Sequence, residues 1–88
     1  MFEFQWSDDS EAHIFARHNV IPMEVEEAAQ RPYHFTKGRE GTNLLLGRTY
    51  AGRYLLVVLS ESEDGRWYVV TARDMTEPEQ KAYERRAR

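Results

Sequence analysis

Asn43-Leu44-Leu45-Leu46-Gly47-Arg48-Thr49-Tyr50-Ala51-Gly52-Arg53-Tyr54-Leu55-Leu56-Val57-Val58-Leu59-Ser60 is the stretch on which the fold turns. Asn43 to Tyr50 and Arg53 to Ser60 are short apolar runs bounded by turn residues, and Ala51-Gly52 between them reads as a tight hairpin connection. A third run, Arg66 to Arg73, follows Glu63-Asp64-Gly65. The three together predict an antiparallel meander, because strands this close in sequence pair with their neighbours. A two-residue turn at Ala51-Gly52 would pair Arg48 with Leu55 and put Arg48 and Arg53 on one face, beside Leu44, Leu46, Val57 and Leu59. A three-residue turn at Glu63-Asp64-Gly65, with Gly65 left-handed, would bring Arg73 to the same face.

Upstream, Phe2, Phe4 and Trp6 alternate with Glu3 and Gln5, the period of a half-buried strand. Asp8 with Glu11 three residues later reads as a capping box, and Ala12, Phe15, Ala16 and Val20 continue at helical spacing to His18, where Asn19 suits a left-handed cap. Pro22 opens a second helix, with Glu24, Glu26 and Glu27 toward its positive end and Arg31-Pro32 as its stop. Tyr33 to Thr36 is a short strand candidate, and Lys37 to Thr42 a polar exposed loop with two glycines. Downstream, Thr76-Glu77-Pro78-Glu79 caps a last helix. The expected fold is one α+β domain over 1–88 in the order βααβ(β)ββα, an antiparallel sheet packed by two N-terminal helices and one C-terminal helix.

Eighty-eight residues allow one core, and a composition of 41% hydrophobic and 31% charged residues is that of a globular chain. The absence of cysteine excludes a disulfide scaffold, a thiol nucleophile and cysteine-ligated metals, and fits a cytoplasmic home. No apolar run reaches the roughly 18 residues of a membrane span, and the acidic opening Met1-Phe2-Glu3-Phe4 is unlike a signal peptide. A net charge of −3 argues against attraction of nucleic acid to the whole surface. The charge is uneven: residues 1–44 hold four Lys/Arg against eight Asp/Glu (−4), and residues 45–88 hold eight against seven (+1).

Arg48, Arg53 and Arg73 stand at strand ends, where converging guanidinium forks would bind phosphate oxygens; composition alone favours reading them as surface arginines paired with acids. His13, His18 and His34 are the default proton-transfer groups. His13 and His18 are about 500° apart on a helix, so they do not share a face as a metal pair does, and no metal or other cofactor is expected. His18, at a helix end, also reads as a cap for free carbonyls. The aromatic residues mostly read as core, and Arg85-Arg86-Ala87-Arg88 reads either as a basic tail or as a contact for a phosphate backbone or an acidic partner.

Taken in order, several segments resemble the BrnT-type toxins, RelE/ParE-like members of type II toxin–antitoxin systems. They are the opening strand with Phe4 and Trp6, then His13 to Val20, Val25-Glu26-Glu27-Ala28 and Arg31-Pro32-Tyr33. Leu46-Gly47-Arg48-Thr49, Gly52-Arg53-Tyr54-Leu55, Val69 to Arg73, Met75-Thr76 and Glu79 to Arg86 complete the set. The resemblance implies a metal-independent endoribonuclease that inhibits translation. Its partners would be a cognate antitoxin, with which it forms a dimer or heterotetramer, and RNA, free or on the ribosome, with no membrane. The strand arginines Arg48 and Arg73 match phosphate-stabilising residues, Arg53 is a further candidate, and His18 matches a motif histidine that serves as acid, base or orienting group. Lys37, Tyr83, Arg85 and Arg86 are the expected RNA contacts. The rival implications are a non-catalytic protein-binding module and a gyrase-type poison of the same fold.

Overall fold

A computed structural model describes residues 2–88; Met1, the first residue of the expected domain, lies outside the described residues. The elements are β1 (Phe4–Gln5), α1 (Asp8–His18), α2 (Pro22–Ala28), β2 (His34–Lys37), β3 (Asn43–Arg48), β4 (Tyr54–Glu61), β5 (Trp67–Asp74) and α3 (Glu77–Arg86). They build one five-stranded sheet in the order β1-β5-β4-β3-β2. The meander β2 to β5 is antiparallel, as its short connections require, but β1 runs parallel to β5 through Phe4 and Gln5, so the sheet is mixed rather than antiparallel. The intervening α1, α2 and meander return the chain to the edge of β5, a crossover that permits the parallel pairing.

α1 starts from Ser7, not from the expected Asp8 box. The Ser7 hydroxyl accepts the Ser10 N–H at 3.0 Å, and the Ser10 hydroxyl accepts the Ser7 N–H at 3.2 Å, a reciprocal cap that leaves Asp8, Asp9 and Glu11 to favour the positive helix end. Asn19 ends α1 in the left-handed region at φ 54°. α2 is shorter than its charge pattern suggests, closing at Ala28.

The β3–β4 and β4–β5 loops each have three residues. Thr49 N–H donates to the Arg53 carbonyl across Tyr50-Ala51-Gly52, and Ser62 N–H donates to the Arg66 carbonyl across Glu63-Asp64-Gly65. Gly52 (φ 96°) and Gly65 (φ 86°) take the left-handed positions that close such loops. The first loop pairs Arg48 with Tyr54 instead of Leu55, which sends Arg53 to the opposite face and corrects the expectation that Arg48 and Arg53 share one. In β5, Leu59 pairs with Val69 but Val58 with Thr71, so Val70 is an inserted bulge residue. The extra loop residue and the bulge each reverse parity once and cancel, and Arg73, opposite Leu56, lies on the face of Arg48.

Each face of the sheet carries helices. Leu45, Leu55, Val57, Leu59, Val69 and Ala72 pack against Ile14, Val20, Val25 and Ala28 of the α1–α2 layer. The other face is smaller: Leu46 and Leu56 are covered by Met75 and Tyr83 from the α3 side. Each fully buried Val, Leu or Ile side chain contributes about 1.5–3 kcal/mol relative to exposure, and those with no exposure lie in the α1–α2 layer, which places most of the stabilisation there. α3 is fixed at its start by a second capping box, with the Thr76 N–H donating to the Glu79 carboxylate at 2.8 Å.

Candidate functional site

The three strand arginines have different surroundings. Arg53 is absorbed by the fold: its Nε donates to Asp74 Oδ1 at 2.7 Å, its Nη1 to the Asn19 carbonyl at 2.7 Å and to Glu24, and its Nη2 to the His18 carbonyl at 2.8 Å. It thereby satisfies carbonyls that the end of α1 leaves without helical partners and ties β4, β5, α1 and α2 together. The bond to Asp74 raises its already high pKa further. Arg73 is clamped by Glu79, Nη1 to Oε1 at 2.8 Å and Nη2 to Oε2 at 2.9 Å, which neutralises its charge and fastens α3 to the sheet.

Arg48 is the strand arginine without a carboxylate partner among the described residues. Its Nε and Nη2 donate only to the Gly52 carbonyl, at 3.3 and 3.1 Å, and its guanidinium lies 4.4 Å from the centre of the Tyr54 ring. Tyr54 is steadied in turn by the edge of Tyr83 and by a hydrogen bond from its hydroxyl to Glu84. Arg48 therefore has a fixed base and unused N–H groups that face solvent.

A cleft of about 370 Å³ opens at this end of the sheet, lined by Arg48 with Glu27, Arg31, Tyr50 and Tyr83. α2 and the β3–β4 hairpin bring these residues together, since the Tyr50 N–H donates to Glu27 Oε1 at 3.0 Å. Tyr50 itself is 76% exposed, and Tyr83 is 6% exposed with its hydroxyl donating to the Pro32 carbonyl. Burial raises the Tyr83 pKa, so the phenol keeps its proton and works as a brace.

The remaining expected residues lie elsewhere. His18 belongs to the α1 layer, across the sheet from Arg48 and Arg73, and the hydrogen bond of this residue is made by its carbonyl. Lys37 lines a groove of about 560 Å³ with Arg39, Arg73 and Glu79 over a floor of Leu44, Leu56 and Val58. Arg48 is not part of that groove, so Arg48 and Arg73 share a face but no depression. Arg85 and Arg86 line a third depression, of about 480 Å³, with His34 and Arg88. Among the described residues no group of His, Asp and Glu side chains has a metal-binding arrangement, and no helix is long and apolar enough to cross a membrane.

Glu27, Arg31 and Tyr50 were not singled out by the sequence pattern. Glu27 reads there as one of a run of solvated acids, Arg31 as a helix stop, and Tyr50 as a strand end. The signal available was the Arg31-Pro32-Tyr33 segment, whose main chain lies against Tyr83 and Arg88 in the folded chain.

A mixed five-stranded sheet with two helices on one face and one on the other, with a cleft lined by Arg31 and Arg48 at the hairpin end, defines a small α+β fold. Among solved structures, the chain is similar to the ribonuclease toxin BrnT of Brucella abortus, with a TM-score of 0.71 over 88% of this chain and 100% of that one, at 10% sequence identity. The fold implied by the ordered motifs is thus the fold found. No family model matches the chain, and no curated protein matches it.

The Arg73–Glu79 clamp has a testable pH signature. Arg73 holds the Glu79 carboxyl below its ordinary value of 4.5. A depressed carboxyl stabilises the fold above its unfolded value and loses that contribution as pH falls through its folded value. Glu79→Gln is therefore expected to cost about 0.5–1 kcal/mol near neutrality after solvent screening, or roughly 2–8 °C in melting temperature. The gap to wild type should narrow below pH 4.5, as thermal melts at stepped pH will show. A gap independent of pH would mean that the ion pair contributes nothing.

Proposed function

We propose that this chain is a toxin of the BrnT type, a metal-independent endoribonuclease acting through the Arg48 cleft, with a cognate antitoxin as its protein partner. The observation that carries the reading is Arg48 itself: a strand arginine without an acid partner among the described residues, in a cleft that also holds Glu27 and Arg31, on a fold similar to a ribonuclease toxin. The chemistry suited to it is attack of a substrate 2′-oxygen on the adjacent phosphorus. The 2′-oxygen–phosphorus bond forms, the bond to the 5′-oxygen breaks, and the products are a 2′,3′-cyclic phosphate and a 5′-hydroxyl. Glu27 receives the 2′-hydroxyl proton, and the departing 5′-oxygen takes one from water in the open cleft. Arg48, assisted by Arg31, stabilises charge developing on the phosphoryl oxygens. Arg53 and Arg73 serve the structure that holds this cleft, and His18 orients the α1 end that Arg53 binds.

Induction of the wild type in a host without the antitoxin is expected to arrest growth and shorten cellular RNA, whereas Arg48→Ala should do neither. Purified wild type should cleave RNA in the presence of a chelator. Intact RNA in both settings would overturn the ribonuclease reading. A second reading, a protein-binding module without catalysis, is favoured by exposed Phe15 and Ile21, which line a depression with Asp8 and Glu11, an apolar surface edged by acids. Chelator-resistant cleavage that depends on Arg48 would exclude it.

A further inference from the structure

The chain is acidic overall, yet its arginines are sorted by partner. Arg53, Arg66 and Arg73 form ion pairs with carboxylates. The other seven form none among the described residues: Arg17 belongs to α1 and Arg39 lines the Lys37 groove, while five of them, Arg31, Arg48, Arg85, Arg86 and Arg88, line two depressions, the Arg48 cleft and the His34 pocket. The two adjoin: Arg31 of the cleft donates from Nη1 to the Arg88 carbonyl at 3.1 Å, and Arg88 lines the pocket. Arg88 is held by backbone hydrogen bonds. Its N–H donates to the Tyr33 carbonyl at 3.0 Å, and the Tyr33 N–H donates back to its carbonyl at 3.3 Å, so the segment after α3 is held beside Tyr33 in the manner of a short strand. His34, next along the chain, carries its side chain on the α3 face, opposite Leu46, and lines the pocket.

We infer that Arg48, Arg31, Arg88, Arg85 and Arg86, with His34, form one basic seam that holds a single-stranded RNA by its phosphates, with exposed Tyr50 at the cleft end as a platform for one base. The inference rests on the ribonuclease reading for its choice of polymer and extends it from the reacting phosphate to the strand on either side. Single strands are held by cations that follow the backbone and by aromatic faces on which bases stack, and both elements are present in sequence along this surface. Three carboxylates flank the five arginines of the seam: Glu27, which receives the Tyr50 N–H, Glu84, which receives the Tyr54 hydroxyl, and Glu26, which lines a further depression with Arg31. Local charge therefore favours phosphate although the net charge is −3.

The test uses a fluorescent 2′-O-methyl oligouridylate, which lacks the attacking hydroxyl and so reports binding alone, titrated by anisotropy at several salt concentrations. Arg85→Ala/Arg88→Ala is expected to weaken binding at least about tenfold and to lower the log–log salt slope by about 1.4, two contacts at about 0.7 each. Tyr50→Ala should weaken binding roughly 5- to 150-fold with the slope unchanged, and Tyr50→Phe should restore it. Arg66→Ala, which removes an exposed arginine paired with Asp64 off the seam, should leave both quantities unchanged. Wild-type affinity in the seam variants, an equal loss in Arg66→Ala, no oligonucleotide binding by wild type, or binding of polyglutamate alone would each overturn the inference. Cleavage with wild-type binding in the seam variants would end this inference and leave the ribonuclease reading standing. Seam-dependent binding without cleavage would do the reverse.

Discussion

Gly47→Ala is expected to lower the melting temperature by roughly 12–24 °C, the equivalent of about 3 kcal/mol in a domain of this size. A Cβ at Gly47 would stand 1.9 Å from the Ala28 carbonyl oxygen and 2.8 Å from its carbon. Those atoms are main chain at the last residue of α2, so no rotamer relieves the overlap. α2 must lift from β3, and that separates Val25 and Ala28 from Leu45 in the main core. A total stability of about 4–13 kcal/mol for 88 residues leaves little margin for such a loss. Gly41→Ala is the informative control: nothing lies within 4 Å of its added Cβ, and only its φ of 78° is strained, worth about 1–2 kcal/mol. Thermal melts of the two variants should therefore rank Gly47→Ala well below Gly41→Ala. Equal melting temperatures would mean that the α2–β3 approach is looser than described. Because α2 carries Glu27 to the cleft, Gly47→Ala should also reduce RNA cleavage below its melting range.

The same hairpin shows which parts of the fold are legible in the sequence. Strand existence, strand order within the meander and the Gly65 turn follow from apolar runs and turn residues, because those are local properties. Parity is not local. Gly52 satisfies a two-residue or a three-residue connection equally well, and nothing in Trp67-Tyr68-Val69-Val70-Thr71 marks Val70 as the inserted residue. One unrecognised residue in the first loop moved Arg53 across the sheet, and one unrecognised bulge returned Arg73 to the side where it was expected. The parallel pairing of β1 was hidden for a related reason, since a two-residue strand has too little pattern to announce its partner.

The site is less legible than the fold, because the value of an arginine depends on what neutralises it. Arg48, Arg53 and Arg73 look alike in sequence, each near a glycine or a small residue at a strand end. Their partners are set by contacts across the chain: Glu24 and the end of α1 for Arg53, a helix cap for Arg73, and only a carbonyl and an aromatic face for Arg48. Glu27 and Tyr50 meet through a hydrogen bond between residues 23 positions apart, which no local motif encodes. Net charge misleads for the same reason. Acids that pair with arginines elsewhere lower the total without touching the cleft.

Arg48→Ala is expected to reduce RNA cleavage about 10²- to 10³-fold while shifting the melting temperature little, because the side chain is exposed and forms no ion pair among the described residues. What it loses structurally is a stacked contact with Tyr54, worth about 0.5–1 kcal/mol, and hydrogen bonds to one solvent-facing carbonyl. What it loses chemically is the fork that meets the phosphoryl oxygens as their charge grows. The loss should therefore fall on kcat more than on KM. Arg48→Lys retains the charge but not the paired N–H geometry, and should remain at least about tenfold below wild type. Arg73→Ala separates this assignment from its rival. Removing the partner of Glu79 should lower the melting temperature with a smaller effect on kcat, since that guanidinium is already neutralised and lines a different groove. If Arg73→Ala instead abolished cleavage with the melting temperature intact, while Arg48→Ala cleaved normally, the reacting phosphate would belong in the groove of Lys37, Arg39 and Arg73 and not beside Arg48.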